Sequence, residues 1–466
     1  MLARILPVLA LLASATVFGA QTPLQRFEAQ AEGFREQLRI PGMSMVIVKD
    51  RKVLWAKGFG LADRENRVPA TPETVYPIAS LTKTFAATLV WQLVEQGKLD
   101  LDEPASRYSA DFKDDSVRIK HLLSHTSNGV PGEKYQYDGN RFDYLTAVIE
   151  KKTGKSFREV MVRTFLDPLA MKSSVPGEDV LDEPGKWAPV LGKENLDRYR
   201  KIVATRQAQP YTLYGDEIVH SSYPAKFFGA AAGMLSTVLD MARFDAAIDR
   251  HAFLRKETQE KAWTPFVSNS GQRLPHGLGW FVEDYHGTRL IWHYGHWGTG
   301  FSATYLKVPE KNLTLVILAN SEALSDHQFQ VEGDRIASNV FACSFLSAFV
   351  ARDDCRDAHT ALTKWLADRR AKARVAVQWE ADALEPYVGQ YRFEALDRTL
   401  TVWREGARLF ADIPKGSKAE LYVDAESKFF FKIRPWVITF AKDGTRVTGM
   451  DVLLDRGETL HAPKVR

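Results

Sequence analysis

The chain has 466 residues, a formal net charge of +4, and an ordinary globular balance of 45% hydrophobic and 26% charged residues. That length suffices for a large domain and a smaller second one. The small net charge, with no basic cluster interleaved with aromatics, gives no expectation of a nucleic-acid partner.

Met1 to Arg4 carries a positive charge, Ile5 to Phe18 is apolar but short for a bilayer span, and Gly19-Ala20 supplies small residues. Residues 1–20 therefore read as a signal peptide, cleaved after Ala20 or Gly19, or kept as an anchor. No other stretch resembles a transmembrane helix, so beyond that segment no integral membrane part is expected. The expected location is periplasmic or secreted.

Residues 43–48 and 53–57 are apolar, partly β-branched runs joined by Lys49-Asp50-Arg51-Lys52, the pattern of a hairpin. Ser80-Leu81-Thr82-Lys83 follows Pro77 and is the only S-x-x-K in the chain. Leu81, Phe85, Leu89 and Leu93 recur every fourth residue, which predicts a buried helix with Ser80 at its start and Gly97 at its end. Residues i and i+3 share a helix face, so the Ser80 hydroxyl and the Lys83 amine are expected to meet. Free N–H groups at a helix start favour a developing serine anion, so Ser80 is the candidate nucleophile.

Further helices are expected over 141–152 and 233–248, and 182–225 reads as a charged, weakly periodic surface insertion. Leu290–Tyr294, Phe301–Val308 and Leu313–Leu318 read as consecutive strands, with a hairpin at Pro309-Glu310-Lys311-Asn312. Strands at both ends with helices between predict an α+β domain, an antiparallel sheet flanked by helices. A charged helix over 360–377 leads to short alternating runs that predict a small all-β domain, barrel or sandwich. The expected division is 21–360 catalytic, 361–379 a helical linker, and 380–466 accessory. In an exported protein Cys343 and Cys355, the only cysteines, pair as a disulfide or remain two buried thiols. No metal or cofactor motif is present; His293 and His296 are spaced like ligands but lack a third.

The segments 119–127, Pro131–Tyr137, Asp167–Met171, Ala231–Ser236 and Gly277–Trp280, in that order after the S-x-x-K, resemble the serine β-lactamase-like family. That family includes class C β-lactamases, D-alanyl-D-alanine carboxypeptidases, D-aminopeptidases and family VIII esterases. The resemblance covers residues 38–322 and implies a helical part and an α/β part with the site between them. It implies that Ser80 is acylated, and that Lys83 and Tyr137, which matches the tyrosine of the family's Y-x-N motif, share the base chemistry, either being the base. Gly139 stands where that motif has Asn, so Asn140 is expected to take over amide recognition if the chain bulges at Gly139. His293-Tyr294-Gly295 stands where K-T-G is usual, which implies that His293 is a pH-dependent cation for a substrate carboxylate. Gly295 would let the substrate lie close, and the N–H groups of Ser80 and His296 would form the oxyanion hole. The implied substrates are D-amino-acid peptides first, then small esters or β-lactams. The reading from another class is a non-catalytic envelope-binding protein on the same scaffold. Oligomeric state is not legible.

Overall fold

The computed structural model describes residues 21–223, 226–330, 335–413, 417–454 and 457–465; the expected signal peptide lies outside them. Strands β1 (Gly42–Lys49) and β2 (Lys52–Asp63) form the predicted hairpin. Its tip, Asp50 and Arg51, holds both residues at positive φ, 51° and 66°, which matches the twist of the flanking strands. With β3 (Val68–Pro69), β4 (Phe281–Tyr285), β5 (Thr288–Trp297), β6 (Phe301–Val308) and β7 (Leu313–Ala319) they make one antiparallel sheet in the order β3-β2-β1-β7-β6-β5-β4. The first strand of the domain thus pairs with the last, Val46 opposite Val316.

The sheet separates two cores, which is why its central strands are apolar on both faces. Met43, Met45 and Ile47 face helices α1 (Pro23–Gln37) and α5 (Val340–Phe349), where Phe27 meets Phe345 at 5.7 Å. Val46 and Val48 face α2 (Thr82–Glu95) and α4 (Val238–Asp249), where Phe85 stacks on Phe244 at 3.8 Å. Of the 14 residues of α2, 11 are buried, so this helix is a core element on nearly all sides.

Three predicted elements differ. The helix expected over 141–152 is two, α3 (Gly139–Asp143) and Leu145–Thr153, joined at Tyr144. The helix expected from Gly233 starts only at Val238, because Gly233 has φ 111° and Leu235-Ser236 pairs with Tyr76-Pro77; the Thr237 side chain caps the new start. The segment 182–225 contains helices Pro184–Leu191 and Lys193–Arg206 and a hairpin, Tyr211–Tyr214 with Glu217–His220. Leu196, Tyr199 and Ile202 bury one face of the second helix in the core, a stripe masked by the charges around it.

Helix α6 (Arg356–Lys372) packs Ala358, Leu362 and Trp365 into the core beside α5, and a disulfide joins Cys343 in α5 to Cys355. Beyond it eight antiparallel strands run from Gly389–Phe393 to Thr459–Pro463. A bridge between Tyr391 and Lys464 brings the last strand back to the first, a near-barrel around Tyr387, Phe429 and Phe440.

One buried ion cluster ties α4 to the sheet. Lys307 of β6, 1% exposed, lies 2.9 Å from Asp245 Oδ1 and 2.7 Å from Asp249 Oδ1, and the Tyr305 and Thr314 hydroxyls donate to Asp245. Lys307→Met would take the cation from the fully buried Asp245 and the nearly buried Asp249, so we expect it to lower unfolding free energy by about 3–5 kcal/mol, read by urea denaturation.

Candidate active site

Ser80 sits in a 3-10 turn, Ala79–Leu81, that leads directly into α2. Ala79 is buried with φ 47°, a conformation that costs a residue with a Cβ and persists only where surroundings impose it. Thr82 supplies part of that constraint: its hydroxyl donates to Ala79 O at 2.8 Å and accepts the Met234 N–H at 3.3 Å. The turn leaves Ser80 half-buried.

Lys83, one turn on, is 1% exposed. Its Nζ donates to Ser80 Oγ at 2.9 Å and to Ala231 O at 2.8 Å. The remaining side of the amine faces aromatic rings, Tyr137 at 5.2 Å and Phe142 at 5.4 Å from the centroids. No carboxylate forms an ion pair with it among the described residues. Burial pulls its pKa down to about 7, against the more distant pull of Asp143 and Asp138. Asp143 also acts through the backbone. Its Oδ1 accepts the Ala231 N–H at 2.9 Å, which holds the loop whose carbonyl receives Lys83.

Tyr137 lies just before α3 and stacks on His125 at 4.3 Å. His125 fixes this stretch from two directions, its carbonyl accepting the Gln136 N–H and its Nδ1 accepting the Asp138 N–H at 3.2 Å. Asp138 caps α3, and Gly139 enters the helix without a bulge. A Cβ on Gly139 would lie 3.6 Å from Lys83 Nζ, so it is Gly139, not Asn140, that faces the amine. Asn140 is exposed in the same turn and makes no hydrogen bond to Ser80 or Lys83, which corrects its expected place in the site.

The opposite wall is β5. Its Gly295 packs on the nucleophile turn so closely that a Cβ would fall 2.2 Å from Ile78 O. Strand β4 pairs with β5 only as far as Trp292, so Tyr294 to Trp297 have β6 on one side and no strand on the other among the described residues. That open edge passes beside Ser80. His296 follows Gly295, half-buried, with Nδ1 3.5 Å from Ser325 Oγ.

His293 does not match its expected role as a cation. It is fully buried among Tyr137, Phe281 and His276, and its Nδ1–H donates to Tyr294 O at 2.7 Å. Burial, with His276 and Lys83 nearby, holds its pKa well below the usual imidazole value, so it is neutral at physiological pH.

The profile of the Beta-lactamase family matches residues 27–337. The chain belongs to the Beta-lactamase family. It is 24% identical over 420 residues to Penicillin-binding protein 4* of Bacillus subtilis (strain 168), covering 82% of this chain and 85% of that protein. It is 29% identical over 336 residues to Protein flp of Staphylococcus aureus (strain MRSA252), covering 64% of this chain and 62% of that one. Among solved structures, the octameric penicillin-binding protein homologue from Pyrococcus abyssi aligns with a TM-score of 0.58 at 21% identity, over 95% of this chain and 100% of that one. A class C beta-lactamase aligns at 0.55 and 19%, over 70% and 96%. The chain is a serine hydrolase of this Beta-lactamase family.

Sequence reasoning missed three parts of the site of this family member: His125, His276, and the Asp143–Ala231 contact. His125 and His276 stand within or beside the family-like segments, but only packing shows them to be a buried group, ring centroids 5.0 Å apart. The Asp143–Ala231 contact spans 88 residues and leaves no local signal.

The Gly295 contact gives a direct test. Gly295→Ala forces the strand off the nucleophile turn, and we expect hydrolysis of p-nitrophenyl acetate to fall about 100-fold, the usual cost of a small misplacement. Gly298→Ala meets only an ordinary 3.7 Å contact with His296 and should leave that rate unchanged.

Proposed function

We propose that this protein is an exported hydrolase that works through an acyl-enzyme on Ser80. The observation that carries the proposal is the 2.9 Å contact between Ser80 Oγ and a dehydrated Lys83 amine held off from carboxylates. A neutral amine there has a lone pair to take the hydroxyl proton as Oγ attacks a carbonyl carbon. The Ser80 and His296 N–H groups are assigned to the resulting oxyanion. As the tetrahedral species collapses, the bond to the leaving group breaks and the leaving group takes the proton from Lys83. Water then attacks the acyl-enzyme with Lys83 again as base, releasing the acid and restoring Ser80. Tyr137 offers its ring face to the ammonium formed in each step. Export is supported by the apolar run at residues 1–20 and by the Cys343–Cys355 disulfide, which suits an oxidising compartment.

Two acyl donors fit this chemistry. Peptides ending in D-alanyl-D-alanine, cleaved as by a carboxypeptidase, are supported by the likeness to Penicillin-binding protein 4*. Esters are favoured by two features of the site, an uncharged His293 where a carboxylate would need a cation, and Gly139 where a side-chain amide would be needed for a peptide N–H. If the enzyme is a carboxypeptidase, a D-alanyl-D-alanine peptide is turned over and its C-terminal amide is not. If it is an esterase, both peptides are poor and short acyl esters are good.

Incubation with a penicillin or p-nitrophenyl acetate, followed by intact mass and peptide mapping, tests the nucleophile: we expect an acyl adduct on Ser80 that Ser80→Ala lacks. The proton balance gives a second test. Lys83 is inactive as a base while protonated, so kcat/KM on a neutral ester should be low in acid, rise through about pH 7, and level off above it. Lys83→Arg stays charged throughout this range and should lose about 10²–10⁴-fold.

A further inference from the structure

The strand beside Ser80 has one closed end and one open end. At His293 it is walled in by Tyr137, Phe281 and His276. Past Gly295 it runs to the turn Gly298-Thr299, about 10 Å further at the rise of an extended chain. That turn is the rim of a cleft of about 630 Å³ between α6 and the barrel segment 430–437. The cleft meets this strand beside His296: the position of a Gly298 Cβ is 3.7 Å from His296 Nε2, and Ser325, 3.5 Å from His296 Nδ1, is followed by Asp326 of the cleft wall. An acyl chain that extends along the open edge from Ser80 has this cleft as its continuation.

The cleft has a definite chemistry. Five lysine and arginine side chains line it against two aspartates. Three of the cations are already held, Arg369 by Glu322 and Asp326, Arg374 by Asp424 and Lys432 by Glu217. Lys372, at the end of α6, is exposed and has no ion pair among the described residues. Trp436 lines the same cleft, half-buried, with the Arg434 guanidinium over its ring at 5.5 Å. A volume of this size exceeds what an acetyl group needs and suits a short peptide.

We propose that this cleft is the acyl-side extension of the active site and binds the far end of an extended, anionic peptidyl acyl donor, its carboxylate beside Lys372 and its apolar part on Trp436. The proposal rests on the Ser80 acyl-enzyme reading and gives the barrel a role in substrate choice.

The test compares p-nitrophenyl acetate with the p-nitrophenyl ester of N-succinyl-trialanine, which has the same leaving group and a carboxylate at the far end of the acyl chain. Wild type should prefer the succinylated ester, and the preference should shrink in high salt. Lys372→Glu, an exposed change, should lower kcat/KM on the succinylated ester about fivefold or more while leaving the acetate within about twofold. Trp436→Ala should do the same. No preference in wild type, or equal changes on both esters, overturns the proposal. A second measurement does not depend on turnover: binding of N-succinyl-trialanine amide to the Ser80→Ala protein, read by tryptophan fluorescence. Weaker binding after adding Lys372→Glu supports the cleft, and unchanged binding overturns it. Acetate hydrolysis that survives Ser80→Ala would instead count against the acyl-enzyme reading alone.

Discussion

The site depends on keeping one lysine dry and away from carboxylates. The same chain contains the contrasting case. Lys307 is as buried as Lys83, but it stands between Asp245 and Asp249; burial opposes its charge and the two carboxylates overcome that, so its pKa is raised. Lys83 meets a hydroxyl, a carbonyl and two ring faces instead, and burial wins. Two buried ammonium groups thus have opposite fates, one a fixed cation in the core and one an amine that exchanges its proton near neutrality. Everything around Lys83 serves that difference. Helix α2 is buried almost all round, Asp143 spends its carboxylate on the Ala231 N–H rather than on the amine, and the acceptor it positions is an uncharged carbonyl.

The parts legible in sequence were those with local causes. Ser80 and Lys83 meet because three residues separate them on a helix, a spacing visible in the letters. The hairpins of β1 with β2 and β6 with β7 were visible because apolar runs flank residues that tolerate positive φ, Asp50 and Asn312. What was hidden had remote causes. The charge of His293 depends on Phe281, His276 and Tyr137, none next to it in the chain. Its reference pKa near 6.5 suggested a pH-dependent cation, and burial removed that property. Asn140 looked available because it follows Gly139, and the structure turns it outward because Asp138 starts a regular helix there. The helices within 182–225 were masked because few apolar residues, Leu191 in the first and Leu196, Tyr199 and Ile202 in the second, reach the core from among many charges.

The histidines near the site show how backbone contacts decide side-chain chemistry. His125 accepts the Asp138 N–H at Nδ1, which assigns its proton to Nε2. His276 and His293 face carbonyls with Nδ1, of Gly277 and Tyr294, which assigns their protons there. Burial keeps all three neutral, His276 with its pKa down at about 4. A second cation beside Lys83 would repel its ammonium; three neutral rings instead enclose the Tyr137 side of the site without adding charge.

The near-barrel poses a separate constraint. Closing its strands hides its edges, and Phe429 and Phe440 go to its own core, so most of its surface has no reason to touch the catalytic sheet. Contact comes instead through one irregular stretch and one hairpin. Phe430 stacks on Tyr214 at 5.8 Å, Lys432 pairs with Glu217, and the Arg374 N–H donates to the Tyr214 hydroxyl, so the hairpin Tyr211–Tyr214 with Glu217–His220 is the landing for the barrel. That hairpin belongs to the segment that looked like a loose surface insertion. Its other attachments run inward: Thr212 donates to Glu322 beside the end of β7, and the Tyr211 N–H bonds Asn320 O. The insertion therefore couples the barrel to the sheet that carries Gly295, and the space left between them opens beside His296 rather than on a remote face. A barrel placed for stability alone could sit anywhere on the domain; this one is anchored where a substrate leaving Ser80 along β5 would meet it.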